Sequence, residues 1–316
     1  VIRNRDAHYP YRWDSYFYYL TGFTEPEAGL VLSVDDSGAE SRLFCRDKNE
    51  EREIWEGYRF GPQLARERFG FDHALSFEKL DDELPRLLAD RPAIFTAIGN
   101  DGAHDARVAR WLNAVRGQAR AGVSAPGQVF EVRSLIDDMR LIKDGHELDI
   151  MRRAADISAA AHVRAMRASR PGRFEFEIEA ELEHEFRMGG SKAPAYGSIV
   201  AGGRHACVLH YRANDARLAE GDLLLIDAGC ELDGYASDIT RTFPVSGRFS
   251  GAQRTLYDIV LEAQQAAIAA TRPGMRFIDP HNAAVKVLAQ GLIDCGLISG
   301  PLDAAIESGA YRRFYM

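Results

Sequence analysis

No apolar run in this chain approaches the roughly 20 residues that a membrane-spanning helix needs, and the first residues lack the charged-then-apolar pattern of a secretory leader. A cytoplasmic protein without a membrane partner is the expectation. Basic clusters are missing too. Asp and Glu outnumber Lys and Arg by 47 to 39, for a formal charge of −8, which argues against nucleic acid as a partner because little is there to neutralise phosphates. Cysteine is sparse: Cys45, Cys207, Cys230 and Cys295 are the four in 316 residues. They share no metal-ligand spacing, and buried reduced thiols are expected. What the sequence does have is a hydrophobic fraction of 46% over a length that suits two domains with substantial cores.

Residues 117–127 are rich in Gly, Ala, Ser and Pro, and a boundary there divides the chain into domains 1–128 and 129–316. The first has α/β texture. Asp35-Asp36-Ser37-Gly38 joins residues 30–34 to residues 42–45 as a hairpin, 93–98 reads as a strand and 106–115 as a helix. The second domain opens on long helices. One starts at Gly145, capped by Asp144 with Glu147 three positions on, and a second follows Arg170-Pro171-Gly172 and ends at Gly189-Gly190.

About a hundred residues later the same order recurs, with helices at 251–270 and 278–290 on either side of Arg272-Pro273-Gly274. Ala-Ser-Arg-Pro-Gly-Arg-Phe at 168–174 matches Ala-Thr-Arg-Pro-Gly-Met-Arg-Phe at 270–277. An internal duplication of a helix-helix-sheet unit is the better reading. The strands that follow the helices in the first copy have no counterpart in the second.

Those strands carry the chemistry. Residues 223–244 read Leu-Leu-Leu-Ile-Asp-Ala-Gly-Cys-Glu-Leu-Asp-Gly-Tyr-Ala-Ser-Asp-Ile-Thr-Arg-Thr-Phe-Pro. Asp233-Gly234 between two apolar runs is a strong hairpin signal, since a type I′ turn needs positive φ at both central residues. A two-residue loop pairs Leu232 with Tyr235, Gly229 with Asp238, and Asp227 with Thr240. Side chains alternate along a strand, so Asp227, Gly229, Asp238 and Thr240 share one face. The two acids are then diagonal neighbours, with Cβ atoms roughly 6–8 Å apart. Gly229 leaves room beside Asp238, and Thr240 can support Asp227. The four apolar residues before Asp227 imply that both strand faces are covered. Two buried like charges require compensation, which a divalent cation provides. All-oxygen ligation suits Mn²⁺ or Mg²⁺, and an added histidine would favour Mn²⁺, Co²⁺ or Zn²⁺.

This hairpin resembles that of the aminopeptidase P family, the Xaa-Pro aminopeptidases among the pita-bread metallopeptidases. Tyr-Pro-Tyr-Arg at 9–12, Tyr-Leu-Thr-Gly-Phe-Thr-Glu-Pro-Glu-Ala at 19–28 and Cys-Val-Leu-His-Tyr at 207–211 extend the likeness. It covers nearly the whole chain, strongly after residue 130 and more loosely over 35–125.

The resemblance implies a creatinase-like α/β N-terminal domain followed by an α+β pita-bread catalytic domain with an internal pseudo-two-fold repeat, incomplete at its C-terminus. It implies two divalent metal ions, often manganese, holding a bridging hydroxide that attacks the carbonyl before proline, with a glutamate as general base. The substrates implied are peptides with proline in the second position, and the assembly implied is a homo-oligomer, a dimer or tetramer. By the same resemblance Asp227 is the first metal ligand and Asp238 the bridging one. His210, in a Leu-His-Tyr strand, contacts substrate and stabilises developing charge, and Tyr196 forms an aromatic wall of the substrate pocket. His205, five residues before His210, falls on the opposite face of a regular strand and is left out. The Tyr-Phe-Tyr-Tyr cluster at 16–19 is expected in a core or a subunit interface.

The family takes a histidine and two glutamates as further ligands from segments after an Arg-Arg-Phe-Tyr-Met-like stretch, and this sequence runs from Val1 to Met316. A piece of a longer protein is the expectation, binding metal weakly and inactive by itself. A prolidase restricted to dipeptides shares the hairpin. From other classes, a metal-free pita-bread binding module or a metal-independent creatinase-like hydrolase is disfavoured by the retained acids.

Overall fold

The computed structural model describes residues 2–315, and the chain divides into two units, 1–148 and 149–316. The division falls later than residue 128 for a local reason. Gln128–Glu131 pairs in parallel with Ala93–Thr96, and Asp137 in the helix Arg133–Leu141 accepts a hydrogen bond from the Tyr16 hydroxyl at 2.9 Å. Both contacts tie residues 128–148 to the first unit.

In that unit Gly29–Asp35 and Gly38–Cys45 form the expected hairpin, closing at Asp35 opposite Gly38, and His73–Ser76 adds to it in parallel. Leu43, Phe44 and Cys45 are fully buried in succession, the mark of a strand covered on both faces. Phe44 packs with Leu80, Leu84 and Trp111, while Leu43 and Cys45 pack with Phe23, Ala65 and Phe71. The helix expected at 106–115 is longer, Gly102–Arg116, because the Asp101 carboxylate caps it by accepting from the Ala103 amide at 2.9 Å. The aromatic cluster lies on the helix Ser15–Thr21. Phe17 meets Phe23 edge-on at 6.5 Å, and Tyr16 and Tyr19 lie 5.6 and 5.4 Å from the Arg140 guanidinium. The cluster therefore packs within its own unit.

The helix Gly145–Ala168 begins with the expected capping box: the Asp144 carboxylate accepts from the Glu147 amide, and Glu147 accepts from the Asp144 amide, both at 2.8 Å. Its buried positions, Glu147, Ile150, Ala154, Ser158, Ala161, His162 and Ala165, recur at helical spacing. Four of these side chains are small and let the helix approach the sheet closely. Ile178, Leu182 and Phe186 of the helix Glu175–Met188 complete the core over Leu224, Ile226 and Ala228.

The repeat is visible in the backbone. Gly172 and Gly274, each after Arg-Pro, have φ of 91° and 85°. A Cβ on Gly189 would lie 2.7 Å from Ile157, and one on Gly291 would lie 2.5 Å from Ile259. All three pairs are 102 residues apart, so the helix pair formed by Gly251–Ala270 and Ile278–Asp294 repeats the turn and the glycine-isoleucine crossing of the first. Among the described residues no helix is long and apolar enough to cross a membrane. The expectation for the cysteines holds for Cys45 and Cys230 and fails for Cys207 and Cys295, which are exposed; all four are free thiols.

Candidate metal centre

Asp233 and Gly234 have φ of 48° and 84°, the left-handed pair that a type I′ turn requires. Leu232 faces Tyr235, and Asp227 faces Thr240, so the register is the one expected. The ladder is interrupted midway. At Gly229 an added Cβ would sit 1.8 Å from the Ser237 carbonyl oxygen, and only glycine admits that approach. There the Gly229 carbonyl turns to accept the Ala195 amide at 2.8 Å, while the Ser237 amide donates to the Cys230 carbonyl at 2.9 Å. Each half of the hairpin then recruits its own third strand, Ile199–Gly202 beside Leu223–Ala228 and Ala193–Pro194 beside Cys230–Leu232. Tyr196 lies in the bend that links those two outer strands, opposite the interruption.

The Tyr196 hydroxyl reaches both acids, 2.6 Å from Asp227 Oδ1 and 2.9 Å from Asp238 Oδ1. One hydroxyl carries one proton, so the two carboxylates share it. Burial, reinforced by these two hydrogen bonds, raises the Tyr196 pKa far above its ordinary value, and the phenol stays a neutral donor. Two carboxylate oxygens from adjoining strands thus meet at one point, the arrangement a hard divalent cation takes. Asp227 and Asp238 fit such an ion as part of a ligand set; among the described residues no group of three or more His, Cys, Asp or Glu converges on it.

The expected burial on both faces does not hold. Leu224, Ile226 and Ala228 are buried, whereas Leu223, Leu225 and Asp227 are half-buried and Asp238 is exposed. The pair is therefore defined by convergence and not by desolvation of two charges.

Behind the hairpin, Ser158 and His162 stand one helical turn apart and grip the backbone on either side of Gly229. Ser158 Oγ accepts the Cys230 amide at 3.0 Å and lies 2.7 Å from Ser237 Oγ. His162 Nε2 lies 3.1 Å from the Ala228 carbonyl, which selects the tautomer protonated at Nε2. Burial lowers the His162 pKa, partly offset by that hydrogen bond, so the ring is a neutral prop. Neither residue carried a spacing signal in the sequence beyond its place on a buried helical stripe.

His210 is not on a strand. The chain leaves the sheet at Gly202, passes through the 3₁₀ turn Gly203–Cys207 and presents His210 exposed in a following turn. Gly203 causes the exit: its φ is 53°, and a Cβ there would meet the Asp222 carboxylate at 2.9 Å. Among the described residues no hydrogen bond joins His210 to the two acids. Because the segment is not a regular strand, the ground for setting His205 aside also fails. His205 stacks on Tyr211 with centroids 4.6 Å apart, and its Nδ1 lies 3.2 Å from Glu175 Oε1. Burial and the hydrogen bond to Glu175 push the Tyr211 pKa up to about 12. Glu175 was missed in the sequence because its partners are all distant in the chain.

Residues 149–314 match the model of metallopeptidase family M24, and residues 1–95 match that of the aminopeptidase P N-terminal domain. The chain belongs to metallopeptidase family M24. Within that family it is 42% identical over its whole length to the Xaa-Pro aminopeptidase of Escherichia coli, spanning 72% of that protein. It is 41% identical over 99% of its length to the Xaa-Pro aminopeptidase of Haemophilus influenzae, spanning 70% of it. Among solved structures, Pseudomonas aeruginosa aminopeptidase PepP superposes on all of the chain with a TM-score of 0.97 at 49% identity, 72% of that protein being covered. Zn-substituted Escherichia coli aminopeptidase P in complex with product does so with the same TM-score and coverage at 42% identity. The fold is thus the aminopeptidase P N-terminal domain joined to the pita-bread domain of family M24, and the cofactor class is a divalent metal.

Proposed function

We propose that the protein is a metal-dependent Xaa-Pro aminopeptidase that removes the N-terminal residue from peptides with proline in the second position. The observation that carries this reading is the convergence of Asp227 and Asp238 on one hydroxyl, in a unit that belongs to a metallopeptidase family and whose relatives are named Xaa-Pro aminopeptidases. Asp227 and Asp238 would hold the metal, and Tyr196 would yield its hydrogen bonds to it and line the site. Divalent ions bound there supply Lewis acidity that lowers the pKa of water and polarises a carbonyl. His210, exposed on its loop, is the residue read as meeting substrate and stabilising the charge that develops on it. All-oxygen donors support manganese, with zinc as the alternative that one solved relative accepts. Four free thiols, two of them exposed, support a reducing cytoplasm. Ile54, Trp55 and Tyr58, exposed at 81%, 84% and 92%, support a homo-oligomer.

The test is turnover of a Xaa-Pro dipeptide and of a longer Xaa-Pro-Yaa peptide by the complete enzyme, before and after metal removal, and by Asp238→Ala. The longer peptide should be preferred, and chelation should abolish turnover. Asp238→Ala should lower kcat/KM at least about 100-fold. Cleavage of dipeptides alone makes the enzyme a prolidase, and activity that survives chelation overturns the metal reading.

A further inference from the structure

Residues 203–216 leave the sheet and, beyond the 3₁₀ turn at their start, run without regular structure to the bridge between Arg217 and Phe174, yet one buried carboxylate holds both ends of the excursion and its middle. Glu175 Oε1 accepts the Gly202 amide at 2.8 Å, and Oε2 accepts the Ala216 amide at 2.9 Å. Within the loop, Tyr211 donates its hydroxyl to Oε2 at 2.8 Å, and His205 Nδ1 approaches Oε1 at 3.2 Å. The Glu175 amide donates in turn to the Ala216 carbonyl at 2.9 Å, so the two residues are clasped from both sides.

An acid in the first turn of a helix gains from the helix dipole while still in water. Glu175 is instead 0% exposed, a burial that costs free energy unless donors replace the lost water. Four donors do so, and all four belong to the loop or its hinges. Gly202 lies close over this cluster: a Cβ there would come within 2.9 Å of the Leu218 side chain and 3.4 Å of Oε1.

We propose that Glu175 is the positioning residue for the loop that carries His210, fixing where that histidine meets the peptide substrate. The inference rests on the reading of His210 given above. Its stacked partners explain how the hold reaches the tip. Tyr211 follows His210 directly in the chain, and it is locked against both Glu175 and the ring of His205.

The decisive variant is Glu175→Gln in the metal-loaded, complete enzyme. Each Glu175 oxygen faces a backbone N–H, so the amide NH₂ of glutamine opposes a donor in either orientation. Amide hydrogen exchange across 203–216 should rise about tenfold or more. The kcat for a Xaa-Pro-Yaa peptide should fall by about tenfold with metal content unchanged, whereas in a His210→Ala background the same change should cost less than about twofold. Tyr211→Phe removes one donor and leaves the carboxylate; it should reproduce the pattern at smaller size and decides the matter if the glutamine variant does not fold. Unchanged activity in His210→Ala overturns the reading of His210 and the proposal with it. A loss in His210→Ala to which the Glu175→Gln loss adds in full, or unchanged exchange in the loop, overturns the proposal alone.

Discussion

Two carboxylates on adjoining strands repel unless a cation or a proton lies between them, and here the hydrogen is that of the Tyr196 hydroxyl. Removing it separates two effects. In Tyr196→Phe the acids lose their shared donor, so the metal-free protein should be destabilised by about 1–2 kcal/mol. The same variant no longer has a hydroxyl for an incoming ion to displace, so the rise in Tm on adding Mn²⁺ should be larger than in the wild type. Melting curves with and without metal check both; equal Tm gains in the two proteins would remove the hydroxyl from the ion's path.

A second residue-level effect sits in the first unit. Glu131 accepts from the Arg133 side chain at 2.7 and 2.8 Å and from its amide at 2.9 Å, and these bonds hold its pKa down at about 2 against an ordinary 4.5. A carboxylate depressed by folding contributes stability that is fully present above about pH 4.5 and is lost as pH falls towards 2. Glu131→Gln should therefore show a shallower fall in Tm between pH 5 and 2 than the wild type, and parallel curves would show that the clamp has no such role.

At the scale of elements, the hairpin was the most legible part of the molecule. Asp233-Gly234 specifies one turn, the turn specifies the register, and a side-chain period of two puts Asp227 and Asp238 on one face without any long-range information. The His210 segment was not legible in the same way. The consecutive apolar residues Ala206, Cys207, Val208 and Leu209 imitate a strand, and only Gly202-Gly203 hints that the chain turns away; what holds it afterwards is Glu175, far off in sequence. The lack of a side chain at Gly229 was read as space beside Asp238, but the structure gives it a stricter duty, since the Ser237 backbone occupies that space. Gly229→Ala must push the strands apart at the point where Asp227 and Asp238 converge. A loss of about 3 kcal/mol in urea unfolding is expected, together with weaker Mn²⁺ binding by titration calorimetry. Stability loss with unchanged metal affinity would mean that the interruption does not set the spacing of the acids.

For the whole molecule, the 102-residue offset shared by the Pro-Gly turns and the glycine-isoleucine crossings shows why a repeat could be read from so short a motif. A turn and the helix crossing it enables are one structural unit, and the sequence conserves the parts of that unit that have no room to vary. The boundary between units was less legible, because a loop rich in Gly and Pro marks flexibility of composition, whereas the pairing of Gln128–Glu131 with Ala93–Thr96 is a long-range choice. The cysteines offer one readout that spans the chain. Cys45 lies in a core of the first unit with its thiol pushed up to about 12 by burial, and Cys230 lies in the core behind the hairpin that carries the paired acids, while Cys207 and Cys295 are exposed. A maleimide should therefore label Cys207 and Cys295 in the native protein and all four only after unfolding. Cys230 neighbours Gly229, so any opening that exposes it dismantles the paired acids as well. Mn²⁺ at ten times its Kd should then slow Cys230 labelling about tenfold by linkage, and a labelling rate at Cys230 indifferent to Mn²⁺ would mean that the ion is not held by this hairpin.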